Sequence, residues 1–321
     1  MRALVPLLAM AAGVVAVPLF AQHALPRAPR STTTMEPGAP DLLATGTATR
    51  RLTVPVSVAN QGPFAFIVDT GAERSVVTRE LAAALNLDRG TGARLFDFSG
   101  SSAVNTVMVP SLSVGSRTST ALEAPLLAMA NVGAQGMLGV DALQGYKVVI
   151  DFGRKRMSLV PAKRHASGEV VIRAHSRVGQ LILTRATFDG KPIAVVIDTG
   201  SSISVGNSAM RALAKRAPRP LGPVSITSVT GRSFDADVVA VDNILIGGLR
   251  FDNFGLSFSD VPPFERLGLR DTPALILGMN ALEAFQRVEI DFVNREIAFT
   301  LQPAPINFNS LCRSYANCKS F

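Results

Sequence analysis

Phe66-Ile67-Val68-Asp69-Thr70-Gly71-Ala72 and, 129 positions later, Val195-Val196-Ile197-Asp198-Thr199-Gly200-Ser201 are two versions of one string. In each, an apolar run with the character of a buried strand ends on an aspartate, and Thr-Gly follows where the chain must turn. The likeness continues downstream. Gly136-Met137-Leu138-Gly139-Val140-Asp141-Ala142-Leu143 matches Leu275-Ile276-Leu277-Gly278-Met279-Asn280-Ala281-Leu282, and Val149-Ile150-Asp151-Phe152 matches Glu289-Ile290-Asp291-Phe292. The order is the same in both copies. The distance from the first aspartate to the Leu-Gly glycine is 70 positions in one copy and 80 in the other, and from there to the next aspartate 12 and 13. The chain is a duplicated unit.

At 321 residues it has room for two domains, each with its own core, and 47% hydrophobic against 17% charged residues fits folded lobes. Runs such as Leu52 to Val58 and Leu181 to Thr187 read as strands, so the fold is expected to be mainly β. Short helices are expected over Arg79 to Leu87 and, behind Asn207 as N-cap, over Ser208 to Lys215. Asp141 and Asn280 stand where an N-cap would open a further short helix after each Leu-Gly pair. The expected organisation is an N-terminal segment 1–21, a flexible linker 22–46, lobes 47–160 and 170–302 joined by a link 161–169, and a tail 303–321. Met1-Arg2 followed by an apolar run to Ala21 reads as a secretory signal or an N-terminal anchor, so export to a periplasmic or secreted location is expected, with membrane contact only through an uncleaved N-terminus. Cys312 and Cys318 are the two cysteines. Export would let them close a small disulfide loop in the tail.

The net charge of +8 raises the question of nucleic acid, but the basic residues are scattered, aromatics are 6% and Trp is absent. Neither a basic stripe nor a stacking platform is present, so no nucleic-acid partner is expected. His23, His165 and His175 are the three histidines. They form no cluster with the cysteines, and a metal centre or a Ser-His pair lacks its residues; neither metal nor cofactor is expected.

The repeated aspartates remain. Two carboxylates held about 3 Å apart cannot both ionise, so one keeps a proton while the other is a base. Apolar strand ends would bring Asp69 and Asp198 to a dry floor. Gly71 and Gly200 permit the close approach, and the hydroxyls of Thr70 and Thr199 can bond the opposite loop's backbone. Gly139 and Gly278 leave room for a strand passing over them. Ala72 and Ser201 are the one difference: the Ser201 hydroxyl is expected to donate to its neighbouring carboxylate, leaving Asp69 the more easily protonated of the two.

With these strings in view, the chain resembles the aspartic proteases of the retropepsin and pepsin type, over nearly all of residues 50 to 302. The resemblance implies a bilobal fold of two homologous β-barrel-like lobes, two fused retropepsin-like units, working as a monomer on a peptide or protein substrate in extended conformation. It implies Asp69 and Asp198 as the catalytic pair around one water, Thr70 and Thr199 as an interlocked grip, and Gly71, Ala72, Gly200 and Ser201 as supports. It also implies a hairpin from each lobe above the cleft, here around Ser99-Gly100-Ser101 and Val229-Thr230-Gly231. One departure is plain: the Tyr that pepsin-like enzymes carry on the first hairpin is missing, since the tyrosines are Tyr146 and Tyr315. Glu73 matches an acidic position of retropepsin-like chains and is expected to bond within its own lobe. A peptide-binding protein of the same fold that cleaves nothing is the alternative.

Overall fold

The computed structural model of the chain describes residues 41–44, 46–48, 51–161 and 165–302. The N-terminal segment with His23, and the tail with Cys312 and Cys318, lie outside the described residues.

Strands dominate, as the alternating and continuous apolar runs require. In the first lobe, Arg51–Val58, Gln61–Val68, Gly136–Leu138, Val76–Thr78, Arg117–Leu127 and Thr106–Val114 pair in that order, and the last returns to pair with the first. The six strands thus close a barrel around Phe66, Leu81, Val109 and Leu138, all essentially without solvent contact. The second lobe repeats the arrangement, with Gln180–Phe188, Lys191–Ile197, Ala274–Leu277, Val205–Gly206, Phe254–Phe258 and Ser233–Val241 in sequence across its sheet. Its core carries a ring chain, Phe251 to Phe285 to Phe299, with centroids 6.0 and 4.6 Å apart; burying such side chains contributes roughly 2–3 kcal/mol each.

The feature that places the site is a parallel pairing made twice. Gln61–Val68 runs parallel to Gly136–Leu138, with Val68 beside Leu138, and Lys191–Ile197 runs parallel to Ala274–Leu277, with Ile197 beside Leu277. Strands buried on both faces carry continuous apolar sequence, which accounts for the runs before each aspartate. The Leu-Gly signatures lie directly under the Asp-Thr-Gly turns.

The third signature joins the lobes. Tyr146–Asp151 pairs antiparallel with Arg287–Asp291, Val149 standing opposite Glu289. These two residues hold equivalent places in the repeats, so a pseudo-twofold axis passes between them. The sheet extends through Arg156–Pro161 on one side and through Glu296–Thr300 and Val170–Arg177 on the other. Across the junction the ammonium of Lys147 meets Glu289 at 2.9 Å, with Glu289 1% exposed.

Two expectations about local structure change. The end of the span 22–46 is strand rather than linker: Asp41–Ala44 pairs with Arg156–Pro161, and Gly46–Ala48 with Arg51–Val58. Asp141 and Asn280 are not N-caps. Helices Val140–Leu143 and Met279–Leu282 start from Gly139 and Gly278, whose backbone takes the cap position without a side-chain bond. The two polar side chains turn instead toward the aspartate loops. Asn207 does cap Ser208–Arg211, accepting from the Met210 N–H, and Thr78 caps Arg79–Ala84 in the same way through Leu81.

Candidate active site

Asp69 and Asp198 meet at the centre of the cleft between the lobes, 8% and 9% exposed, with their side chains hydrogen-bonded to each other. Each carboxylate is held by its own turn. Asp69 Oδ1 accepts from the N–H groups of Gly71 (2.8 Å) and Ala72 (3.0 Å). Asp198 Oδ1 accepts from those of Gly200 (2.8 Å) and Ser201 (3.1 Å). The strand ends are clamped below, where the Asp69 N–H reaches the Leu138 carbonyl at 2.9 Å and the Asp198 N–H that of Leu277 at 3.1 Å.

The threonines lock one loop to the other. Thr70 Oγ1 donates to the Ile197 carbonyl at 2.9 Å and accepts from the Thr199 N–H at 3.2 Å. Thr199 Oγ1 donates to the Val68 carbonyl at 2.8 Å and accepts from the Thr70 N–H at 3.0 Å. Four reciprocal, buried bonds of this kind fix the register of the two carboxylates. Glycine is obligatory beside them: a Cβ on Gly71 would stand 2.6 Å from the Asp198 carboxyl carbon, and one on Gly200 would collide with Asp69. The glycines below serve the same end, since a Cβ on Gly139 would lie 2.5 Å from the backbone of Arg74 and one on Gly278 2.5 Å from that of Ile203.

Burial, and then the charge of Asp69 beside it, push Asp198 up to about 8. The expected donation from Ser201 to this carboxylate is not made. Its hydroxyl bonds the carbonyl of Ile203 at 2.7 Å, two residues along its own loop, where the turn offers an acceptor in easier reach. The stated difference between Ala72 and Ser201 therefore does not bear on the pair. Glu73 also departs from expectation: instead of a partner in its own lobe it takes the guanidinium of Arg266, from helix Pro262–Arg266 of the second lobe, with both carboxylate oxygens at 2.9 Å. Helix and loop face each other across the cleft rim, which no local reading could bring together.

A cavity of about 590 Å³ opens above the pair, within the usual size of a ligand site. Its apolar lining includes Val76, Leu95, Phe98, Met137, Val196 and Ile276. The first-lobe hairpin, Ala93–Asp97 and Gly100–Val104, forms a roof; Asp97 pairs with Gly100, so its tip is Phe98-Ser99, one step before the expected Ser99-Gly100-Ser101 centre. The second-lobe hairpin turns between Thr227 and Ser233, with Thr230 and Gly231 at the tip. The tips touch: Thr230 Oγ1 donates to Asp97 Oδ2 at 2.7 Å and Ser99 Oγ donates to Ser228 Oγ at 3.2 Å. Arg266, beyond its ion pair, lies 5.3 Å over the ring of Phe96 on the roof strand. Glu123, on the cleft wall, is held down at about 2 by the Thr106 hydroxyl first and the Thr91 hydroxyl second.

His165 and His175 stand outside the cavity, His165 against Glu296 at 3.0 Å. Among the described residues no cluster of side chains suited to a metal ion is present.

Sequence reading passed over a tie beneath each loop. Ser75 Oγ donates to Asp141 Oδ1 (2.7 Å) and accepts from the Gly139 N–H (3.1 Å); Ser204 Oγ donates to Asn280 Oδ1 (2.7 Å) and accepts from the Gly278 N–H (3.0 Å). A serine six positions after each aspartate was the available signal.

Comparison with protein families gives two matches in tandem. Residues 54–145 match the family described as "gag-polyprotein putative aspartyl protease", and residues 184–281 match the family described as "Aspartyl protease". No curated protein matches the chain. Each matched stretch contains one Asp-Thr-Gly loop and the Leu-Gly signature beneath it, on a mainly β, two-lobed scaffold, and the chain thus belongs to the retropepsin-like aspartic proteases.

Proposed function

We propose that this chain is an aspartic endopeptidase in which Asp69 and Asp198 activate one water between them. The observation that carries the reading is the facing, mutually bonded carboxylate pair held by reciprocal threonine bonds under a roofed apolar cleft. A non-cleaving peptide binder has no chemical use for two buried carboxyls in contact.

The chemistry follows from the shared proton. With Asp69 charged and Asp198 protonated, the Asp69 carboxylate takes a proton from water as the water oxygen attacks the peptide carbonyl carbon. Asp198 gives its proton to the carbonyl oxygen, and a neutral gem-diol forms. Collapse returns a diol proton to Asp198, Asp69 passes its proton to the leaving nitrogen, and the C–N bond breaks. Acid and base both come from the pair, and no other group is needed to balance the protons. Both loops lie in one chain, so a monomer suffices, and the apolar N-terminal segment supports export as the location where it acts.

The test is cleavage of a peptide library by the parent and by Asp69→Asn and Asp198→Asn. The parent should cleave with a rate proportional to concentration on dilution, and each variant should lose at least 1,000-fold, on the scale of removing a general acid or base, while its thermal unfolding stays cooperative. Near-normal turnover by either variant, or binding of a statine-containing peptide by a parent that cleaves nothing, refutes the reading.

A further inference from the structure

Gln180 belongs to the second lobe, yet it serves the first lobe's aspartate. It opens the strand Gln180–Phe188 and is 6% exposed. Its Nε2 donates to the carbonyl of Gly71. The reach is built in by the preceding hairpin: Arg177 pairs with Gln180 across the two-residue turn Val178-Gly179, whose φ angles are 50° and 83°, the mirror-image geometry that tight hairpins favour. A Cβ on Gly179 would stand 2.8 Å from Gln144 Nε2 and Val140 Cγ2. The turn is therefore seated against helix Val140–Leu143 of the first lobe, and the seating delivers Gln180 to the loop.

The Gly71 carbonyl and the Ala72 N–H are the two ends of one peptide group, and the Ala72 N–H donates to Asp69 Oδ1 at 3.0 Å. Gln180, the peptide and the carboxylate thus stand in series. A donor on the carbonyl polarises the peptide and makes its N–H a stronger donor, which favours the charged form of the carboxylate it serves. The duplication supplies no copy of this residue, because the position 129 earlier is Arg51.

We propose that Gln180 is a positioning residue that makes Asp69 the charged member of the pair and leaves the shared proton on Asp198. It deepens the reading of the pair as base and acid, and rests on it. The upward push on Asp198 from burial and from the Asp69 charge agrees with the assignment. The other charged side chains lining the cleft are Glu73, Arg74, Arg94, Asp97, Glu123 and Arg266. Of these, Glu73 is bonded to Arg266, Asp97 to Ser99 and Thr230, and Glu123 to Thr91 and Thr106.

The experiment compares the full chain with Gln180→Met, which keeps the length and removes the donor. Two readouts are taken: titration of the aspartate carboxyls by 13C NMR, and the acidic limb of kcat/KM against pH. Both should rise by about half to one pH unit, with KM changed less than about twofold. Gln180→Leu, a second donor-free variant should Met misfold, must move the same way. Gln180→Lys restores a donor and must bring the limb back to the parent's position or below it. A purely packing role would lower kcat at all pH values and leave the limb in place. An unmoved carboxyl titration in the donor-free variants overturns the proposal even where the parent cleaves normally. A parent that cleaves nothing while its carboxyl titration shifts as described overturns the protease reading and supports Gln180's hold on the pair.

Discussion

Asp198→Asn should make the chain more stable at neutral pH, because the site that performs the chemistry stores unfavourable charge. Asp198 moves from an ordinary 3.8 to about 8 on folding, through burial and the charge of Asp69. A carboxyl raised in this way prefers the proton in the folded state. Its penalty is absent below the unfolded value near 3.8 and grows as pH rises toward about 8. At about 1.4 kcal/mol per pH unit, the ceiling at pH 7 is on the order of 4 kcal/mol; relaxation and water entry around buried charge reduce such figures, and about 2 kcal/mol is the expected effect. Asparagine keeps the acceptor that Gly200 and Ser201 bond, at 2.8 and 3.1 Å in the parent, and its amide can donate to Asp69 in place of the lost proton. For a chain of 321 residues the gain amounts to about 3–4 °C in Tm. The assay is thermal unfolding by circular dichroism at pH 4 and pH 7.5 for both proteins. They should melt within about 1 °C of each other at pH 4, and the variant should melt higher at pH 7.5. A variant less stable than the parent at pH 7.5, or a gain of equal size at both pH values, would refute the reasoning.

Gly139→Ala and Gly278→Ala should each cost about 2–3 kcal/mol or more and reduce cleavage together with stability, since the added Cβ meets backbone at 2.5 Å that cannot give way; a Tm within 2 °C of the parent's would contradict this. Asp97→Ala removes the acceptor that Thr230 reaches at 2.7 Å and that Ser99 reaches at 2.6 Å, so a statine-containing peptide should associate at least about threefold faster, by stopped-flow fluorescence, with little change in Tm because the two hydrogen bonds are only partly buried. An unchanged association rate would show that the touching tips do not govern entry.

Much of the site was legible because its demands are local. An aspartate at the end of a doubly buried strand, a glycine where a Cβ would strike the opposite carboxylate, and a second glycine where one loop crosses another each restrict the residue at one position, and the duplication writes each restriction twice. Thr70 and Thr199 could be assigned to the opposite loop for the same reason, their four bonds being made between loops that carry the same sequence. The N-caps Thr78 and Asn207 lie at ordinary helix starts, whereas Asp141 and Asn280 mislead because the caps of their helices fall two residues earlier, on glycines that no propensity rule would choose over an aspartate or an asparagine. What freed those side chains was the serine above each of them.

The failures share a cause that bears on the chemistry. Closeness in sequence points the Ser201 hydroxyl to Asp198, yet a hydroxyl in a tight turn chooses among all acceptors within reach, and it bonds the Ile203 carbonyl at 2.7 Å. Glu73 reads from the sequence as bonding within its own lobe, and its partner stands 193 positions away. Nothing local marks Gln180, 109 positions from the carbonyl it bonds. A duplicated chain writes in its repeats what the two halves share, so reading by repeats finds the symmetric pair and its supports. An acid and a base, however, must differ, and the residues that make them differ have no counterpart in the other copy: Gln180 stands against Arg51, and Glu73 against Ser202. The positions where the repeats disagree are therefore where the division of labour between Asp69 and Asp198 has to be sought, and they act through contacts that exist only once the lobes have come together.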